Sequence, residues 1–307
     1  MGAELKQVGH GRGNGKVILL GEHAVVYGQP ALAAGLPLGV EATIEPNADG
    51  TREVEAEQPA LIGEAAARAA ALLDVPAAAG FRLTIRGDLP VAVGLGSSAA
   101  LAVALIRAFA AATATRLADD VVAQRANRIE EQFHGRPSGI DATTATLGGV
   151  LRFRRGATLE AERVPVAGNF RFALLDTGTS HTTSSTVGAL AAEVHADPSR
   201  HESLFAEIGE LARTGEAALR AGDPTALGAA MNENHPLLAR LGVSTPELES
   251  AVAAARAGGA LGAKLTGAGG GGVVLALVEP GDEGFAARLR AAGYPSRSFE
   301  LAPGPGE

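Results

Sequence analysis

The chain has 307 residues, a formal net charge of −8, 41 Gly and no Cys. That length accommodates one large domain or two medium ones with ample core. The missing cysteine excludes disulfides, thiolate metal sites and Cys nucleophiles, and an acidic balance without a basic block argues against nucleic-acid or membrane-surface binding. Basic side chains are unevenly divided, 23 Arg against Lys6, Lys16 and Lys264, and 64 Ala join the 41 Gly to fill about a third of the chain. This usage reads as codon bias, and it makes each retained lysine worth locating. No apolar run reaches the ~18 residues of a membrane span, and Met1 to Lys16 is polar and Gly-rich without a signal core. A soluble, cytoplasmic protein is expected.

Residues 16–20 form a short apolar run between Gly15 and Gly21, a buried strand. Residues 38–45 and 51–57 alternate in polarity around Pro46, Asn47 and Gly50 and read as a hairpin-like pair. A helix is expected over 61–73, a strand over 81–86 and a turn at Asp88-Leu89-Pro90. Long helices follow at about 98–117 and 119–133, then strands at 149–154 and 169–176. Helices are expected at about 183–195, 200–221, 223–239 and 246–257, a buried strand at 272–279, a helix at 282–292 and a last strand at 295–301. Strands and helices mix without regular βα alternation, which favours an α+β fold in two halves, 1–168 and 169–307. The Pro/Gly-rich tail after Leu301 should fray.

Three glycine-rich segments carry the chemistry. Pro90-Val-Ala-Val-Gly94-Leu95-Gly96-Ser97-Ser98-Ala99 opens a helix, and a tight turn before unpaired helix N–H groups suits a phosphate. Ser97 and Ser98 are also good N-caps. The same string matches the dinucleotide fingerprint G-x-G-x-x-G/A, but the strand and acidic residue that should follow the helix are replaced by another helix at Asp119-Asp120. The second segment, Lys264-Leu-Thr266-Gly267-Ala-Gly269-Gly270-Gly271-Gly272, runs into a buried strand and suits close backbone approach. The third, Gly15-Lys16 through Gly21-Glu22-His23-Ala24-Val-Val-Tyr27-Gly28, puts a Lys before a strand and Glu-His after it. No G-x-x-x-x-G-K-[ST] string exists, which removes the P-loop reading.

Together these segments resemble the GHMP family of small-molecule kinases, in the form whose members phosphorylate mevalonate. Gly-Glu-His-Ala-Val-Val-Tyr-Gly is the most specific part, and the segment from Glu130 to Pro137-Ser138-Gly139-Ile140-Asp141 and the run Asn232-Glu-Asn-His235 are similar to further family stretches. One departure is Asn14-Gly15-Lys16 where the family usually has Pro-Gly-Lys. The resemblance implies a two-domain GHMP kinase fold: a ribosomal S5 domain 2-like N-terminal domain with a left-handed βαβ crossover, and a ferredoxin-like C-terminal domain.

It also implies ATP and Mg2+, with transfer to the 5-hydroxyl of mevalonate. Other superfamily reactions remain open: phosphomevalonate, homoserine or sugar kinases, diphosphomevalonate decarboxylation, or a non-catalytic nucleotide sensor. Asp141 is implied as base and Lys16 as its catalytic partner, steadying charge on the transferring phosphoryl. Asp141 also fits a helix-start pattern, S-x-x-[DE], and would serve as an ordinary cap. Pro90, Gly94, Leu95, Gly96, Ser97, Ser98, Ala99, Gly267 and Gly269 are implied nucleotide contacts. Ser98 and Glu130 are implied Mg2+ ligands, and Glu22, His23 and Thr183 lie on the mevalonate side. His181 and His235 are left structural. The resemblance leaves a homodimer open.

Overall fold

The glycines of the N-terminal segment fall at alternate positions, 9, 11, 13 and 15, so they share one face of the first strand, β1 (Gly9–Leu20). That face lies directly on helix α2 (Ser97–Ala112). A Cβ on Gly9, Gly11 or Gly13 would stand 2.1 Å from the carbonyl oxygens of Ala108, Ala104 and Ala100 respectively. Two residues of strand and four of helix both advance roughly 6–7 Å, so each glycine meets a new helical turn. A polar, Gly-rich leader thus becomes strand, and the strand expected at 16–20 begins at Gly9.

The structure, a computed structural model, describes residues 2–89, 94–134, 137–179 and 183–303, with side chains left aside at 132–134, 183 and 184. The chain is mixed α+β and divides into two compact units. The first comprises Met1–Lys16, Gly35–Pro90 and Gly96–Gly148, and the second Val17–Ala34, Val91–Leu95 and Gly149–Glu307.

In the first unit, residues 40–47 of β2 (Ala31–Asn47) pair antiparallel with β4 (Gly80–Gly87). The short β3 (Arg52–Glu55) does not form the expected hairpin with β2; it runs parallel to β4 on that strand's other side. Parallel neighbours need a crossover, usually helical, and α1 (Pro59–Leu72) supplies it. Helices α2, α3 (Asp119–His134) and α4 (Ile140–Leu147) pack together. Alanines dominate the buried face of α2, and Phe109 meets Phe81 edge-on at 5.2 Å. Helix α2 stops at Ala112, short of the expected 117. Helix α4 had left only its start pattern in the sequence.

In the second unit, residues 31–34 of β2 pair with β5 (Val150–Arg155), which pairs with β6 (Leu159–Arg163). A separate antiparallel sheet has the order β10-β7-β9-β8, from β7 (Phe170–Asp176), β8 (Gly262–Leu265), β9 (Val273–Val278) and β10 (Ser296–Leu301). Helices α5 (Thr183–Ala196), α6 (Pro198–Ala221), α7 (Pro224–Arg240), α8 (Pro246–Ala257) and α9 (Phe285–Ala291) complete it.

Three of these helices start by one device. Asp197, Asp223 and Thr245 each precede a proline and accept from the backbone N–H of Arg200, Ala226 and Leu248 at 3.2, 2.9 and 3.4 Å. Their apolar faces, among them Phe205, Ile208, Leu238, Leu248 and Val252, bury against Val274 and Ala276 of β9. Among the described residues, no helix is long and apolar enough to cross a membrane.

Candidate active site

Lys16 follows the glycine face of β1 and is 4% exposed. Its Nζ lies 3.3 Å from Oδ1 of Asp141, in the first turn of α4, whose carboxylate is partly open to solvent. Gly96 caps α2 with φ +74°, and a Cβ there would stand 2.8 Å from Cγ of Lys16. The missing side chain therefore leaves the channel that the lysine stem occupies. Because the N-caps of α2 and α4 are Gly96 and Gly139, neither helix start is closed by its own cap side chain. Ser97 and Ser98 occupy the first two positions of α2, inside its first turn and past the cap that their residue type suggested.

Ser98 Oγ donates to Oε2 of Glu130 on α3 at 3.2 Å. Glu130 is 1% exposed. Burial pushes its carboxyl up to about 8, and the charge of Asp141 adds to that rise; the Ser98 hydrogen bond and the Lys16 charge pull it down. The first unit thus gathers a buried ammonium, an accessible carboxylate, a hydroxyl and a second acid around the N-terminal ends of two helices. Such ends attract anions.

The second unit holds residues 17–28, Gly94–Leu95 and the Lys264–Gly272 segment. Gly94 has φ +84°, and a Cβ on Gly267 would lie 3.6 Å from its carbonyl oxygen, so the Pro90–Ala99 and Lys264–Gly272 segments meet there. Gly269 presses on Val243, with only 2.1 Å between a Cβ and that carbonyl oxygen. Leu95 and Ala99 are buried.

Glu22 and Lys264 are fully buried and paired, Nζ to Oε1. Asn234 Nδ2 donates to the other Glu22 oxygen at 3.1 Å. His23 Nε2 lies 2.9 Å from the Ala268 carbonyl. A carbonyl only accepts, so Nε2 carries the proton. Burial lowers the His23 ring to about 4, and it is neutral at pH 7.

Of the residues singled out in the sequence, Lys16, Asp141, Ser98, Glu130 and Gly96 come together in the first unit. Glu22, His23, Gly94, Leu95, Gly267 and Gly269 belong to the second. Pro90, His181 and the side chain of Thr183 lie outside the described residues. His235 is buried, with Nδ1 accepting from Leu265 N at 3.4 Å and Nε2 3.1 Å from Glu249. Asn234 and the pairing of Lys264 were not anticipated. Their signal was the polar run Asn232 to His235 within α7 and a lysine in the short strand β8.

A phosphate-friendly pair of helix starts, a lysine–carboxylate couple and two glycine-rich loops on a two-unit α+β chain define a small-molecule phosphotransferase. Residues 60–149 match the GHMP kinases N terminal domain and residues 216–295 the GHMP kinases C terminal domain; the chain belongs to the GHMP kinase family. It is similar to the mevalonate kinases of Pyrococcus abyssi and Thermococcus sibiricus, each 34% identical over 91% of both chains. It is also similar to the crystal structure of L. major mevalonate kinase in complex with R-mevalonate: 30% identical, TM-score 0.90, covering 100% of this chain and 99% of that one.

Proposed function

We propose that the chain transfers the γ-phosphoryl group of ATP to the 5-hydroxyl of mevalonate. The observation that carries this reading is the Lys16–Asp141 couple at 3.3 Å, beside the starts of α2 and α4. Similarity to mevalonate kinases across nearly the whole chain supports the choice of alcohol. Phosphoryl transfer asks a protein mainly for positioning and charge neutralisation. Asp141, the more accessible member of the couple, accepts the hydrogen bond of the substrate hydroxyl. It takes the proton as the new O–P bond forms and the bond to the ADP oxygen breaks. Lys16 aligns that carboxylate and meets negative charge on the moving phosphoryl. The N–H groups at the start of α2, with Ser97 and Ser98, cradle phosphate oxygens.

The donor set fits magnesium. That ion takes few protein ligands, all oxygen, and leaves the rest of its shell to phosphates and water. Ser98 Oγ and the Glu130 carboxylate are two oxygens already adjacent at 3.2 Å, and a dication favours the ionised Glu130 that burial alone disfavours. When bound, the ion neutralises phosphate charge.

The test is an ADP-coupled assay on a panel of mevalonate, phosphomevalonate, diphosphomevalonate, homoserine and galactose. Mevalonate should be turned over fastest. Asp141→Asn and Lys16→Met should each cut that turnover by two or more orders of magnitude while ATP binding largely survives. Near-full turnover in Asp141→Asn would remove the base assignment, and a faster rate with another alcohol would move the substrate.

A further inference from the structure

The family resemblance places Glu22 and His23 on the mevalonate side. Glu22 is 0% exposed, and both its oxygens are engaged, one by Lys264 and one by Asn234 at 3.1 Å. Lys264 spends a further N–H on the Leu265 carbonyl at 2.7 Å. The next residue, His23, has φ 62° and ψ −46°, a backbone state that a non-glycine residue rarely adopts. Such a state persists where the surroundings over-determine it. Here the flanking restraints are visible. Glu22 is anchored on one side, and its carbonyl accepts from Ala24 N at 2.6 Å. The His23 ring is tied to Ala268 at 2.9 Å. Thr266 Oγ1 donates to Ile18 O at 2.9 Å and accepts from Ile18 N at 3.0 Å, pinning the start of the same glycine-rich loop to β1.

A buried ion pair adds little net stability compared with apolar residues of similar shape. Its presence therefore calls for another use. We infer that the Glu22–Lys264–Asn234 network is a positioning device, with Lys264 its central residue: it holds the strained turn at His23 and, through the ring, the Thr266–Gly272 loop. Lys264 touches no substrate in this scheme and acts through His23. An ammonium suits the place, because three donors on one atom serve Glu22 and Leu265 at once, whereas a guanidinium spreads its donors over a plane. This inference deepens the kinase reading and rests on it for its kinetic consequence only.

The experiment compares the parent with Lys264→Met, the double variant Glu22→Gln/Lys264→Met, and Asn234→Ala. Nitrogen–proton NMR of the histidine rings, with His23→Gln for assignment, reports the turn directly; coupled kinetics report its use. Lys264→Met alone strands a buried carboxylate and should melt far below the parent. The double variant is neutral throughout and should melt within a few degrees of the parent. It should nevertheless lose the slowly exchanging Nε2–H signal of His23, and its kcat on mevalonate should fall at least tenfold with KM for ATP changed less than threefold. Asn234→Ala, which leaves the ion pair intact, should move both readouts the same way by a smaller factor, and it decides the matter if the double variant does not fold. A protected His23 ring proton in the folded variants overturns the inference, as does a kcat within twofold of the parent. If the parent itself does not phosphorylate mevalonate, the functional reading fails, and the ring-proton signal alone decides whether the network positions His23.

Discussion

Glu130 offers the sharpest quantitative test, because its burial conflicts with its proposed ionised role. Its carboxyl is raised from 4.5 to about 8, mostly by desolvation and next by Asp141. Between those two values the folded protein keeps a proton that the unfolded chain has released. Stability from this group is therefore complete below pH 4.5, falls as pH rises toward 8, and levels off above it. The interval is about 3.5 pH units, and at about 1.4 kcal/mol per unit the folded state loses roughly 4–5 kcal/mol across it. Glu130→Gln removes the titration and keeps the shape. The measurement is urea unfolding followed by circular dichroism from pH 4.5 to 9, without magnesium or nucleotide. The variant should match the parent near pH 4.5 and exceed it by about 4 kcal/mol near pH 8, while requiring far more magnesium for turnover. Titration calorimetry in buffers of different ionisation heat adds an independent arm. Binding of the magnesium–ATP complex at pH 7 should release close to one proton from the parent and none from the variant. A stability difference that stays constant across this pH range would refute the reasoning.

Two further substitutions probe the packing behind the site. Lys16→Arg must fit a planar guanidinium where Gly96 leaves room only for a narrow stem; turnover should drop at least ~100-fold, while Lys6→Arg, on the exposed N-terminal segment, should leave it within twofold, and equal rates for the two would deny Lys16 its special place. Gly13→Ala forces a Cβ to within 2.1 Å of the Ala100 carbonyl oxygen. It should cost about 3 kcal/mol or more in urea unfolding by parting β1 from α2, and a loss below about 1 kcal/mol would mean the strand can shift at little cost.

The division between sequence and structure follows the reach of each signal. Features that act over a few residues were legible. The three glycine segments, the Lys before a strand and the mixed α+β order all follow from local backbone chemistry. Asp141 in the first turn of a helix was readable too, because its pattern is four residues long. The partners of β3 were not readable, since Gly50 and its neighbours mimic a hairpin turn while the pairing that wins runs through α1 to β4. Strand β6 and strand β8 stayed hidden because one is mostly polar and the other carries a lysine. The largest change concerns Glu22. The family resemblance puts it on the mevalonate side; in the fold its oxygens are engaged by Lys264, 242 residues away, and by Asn234. Composition singled out Lys264 as one of three lysines kept among 23 arginines. Only tertiary structure supplies its reason, because a charge is stable without water only where the fold brings its counter-charge and hydrogen-bond partners to it.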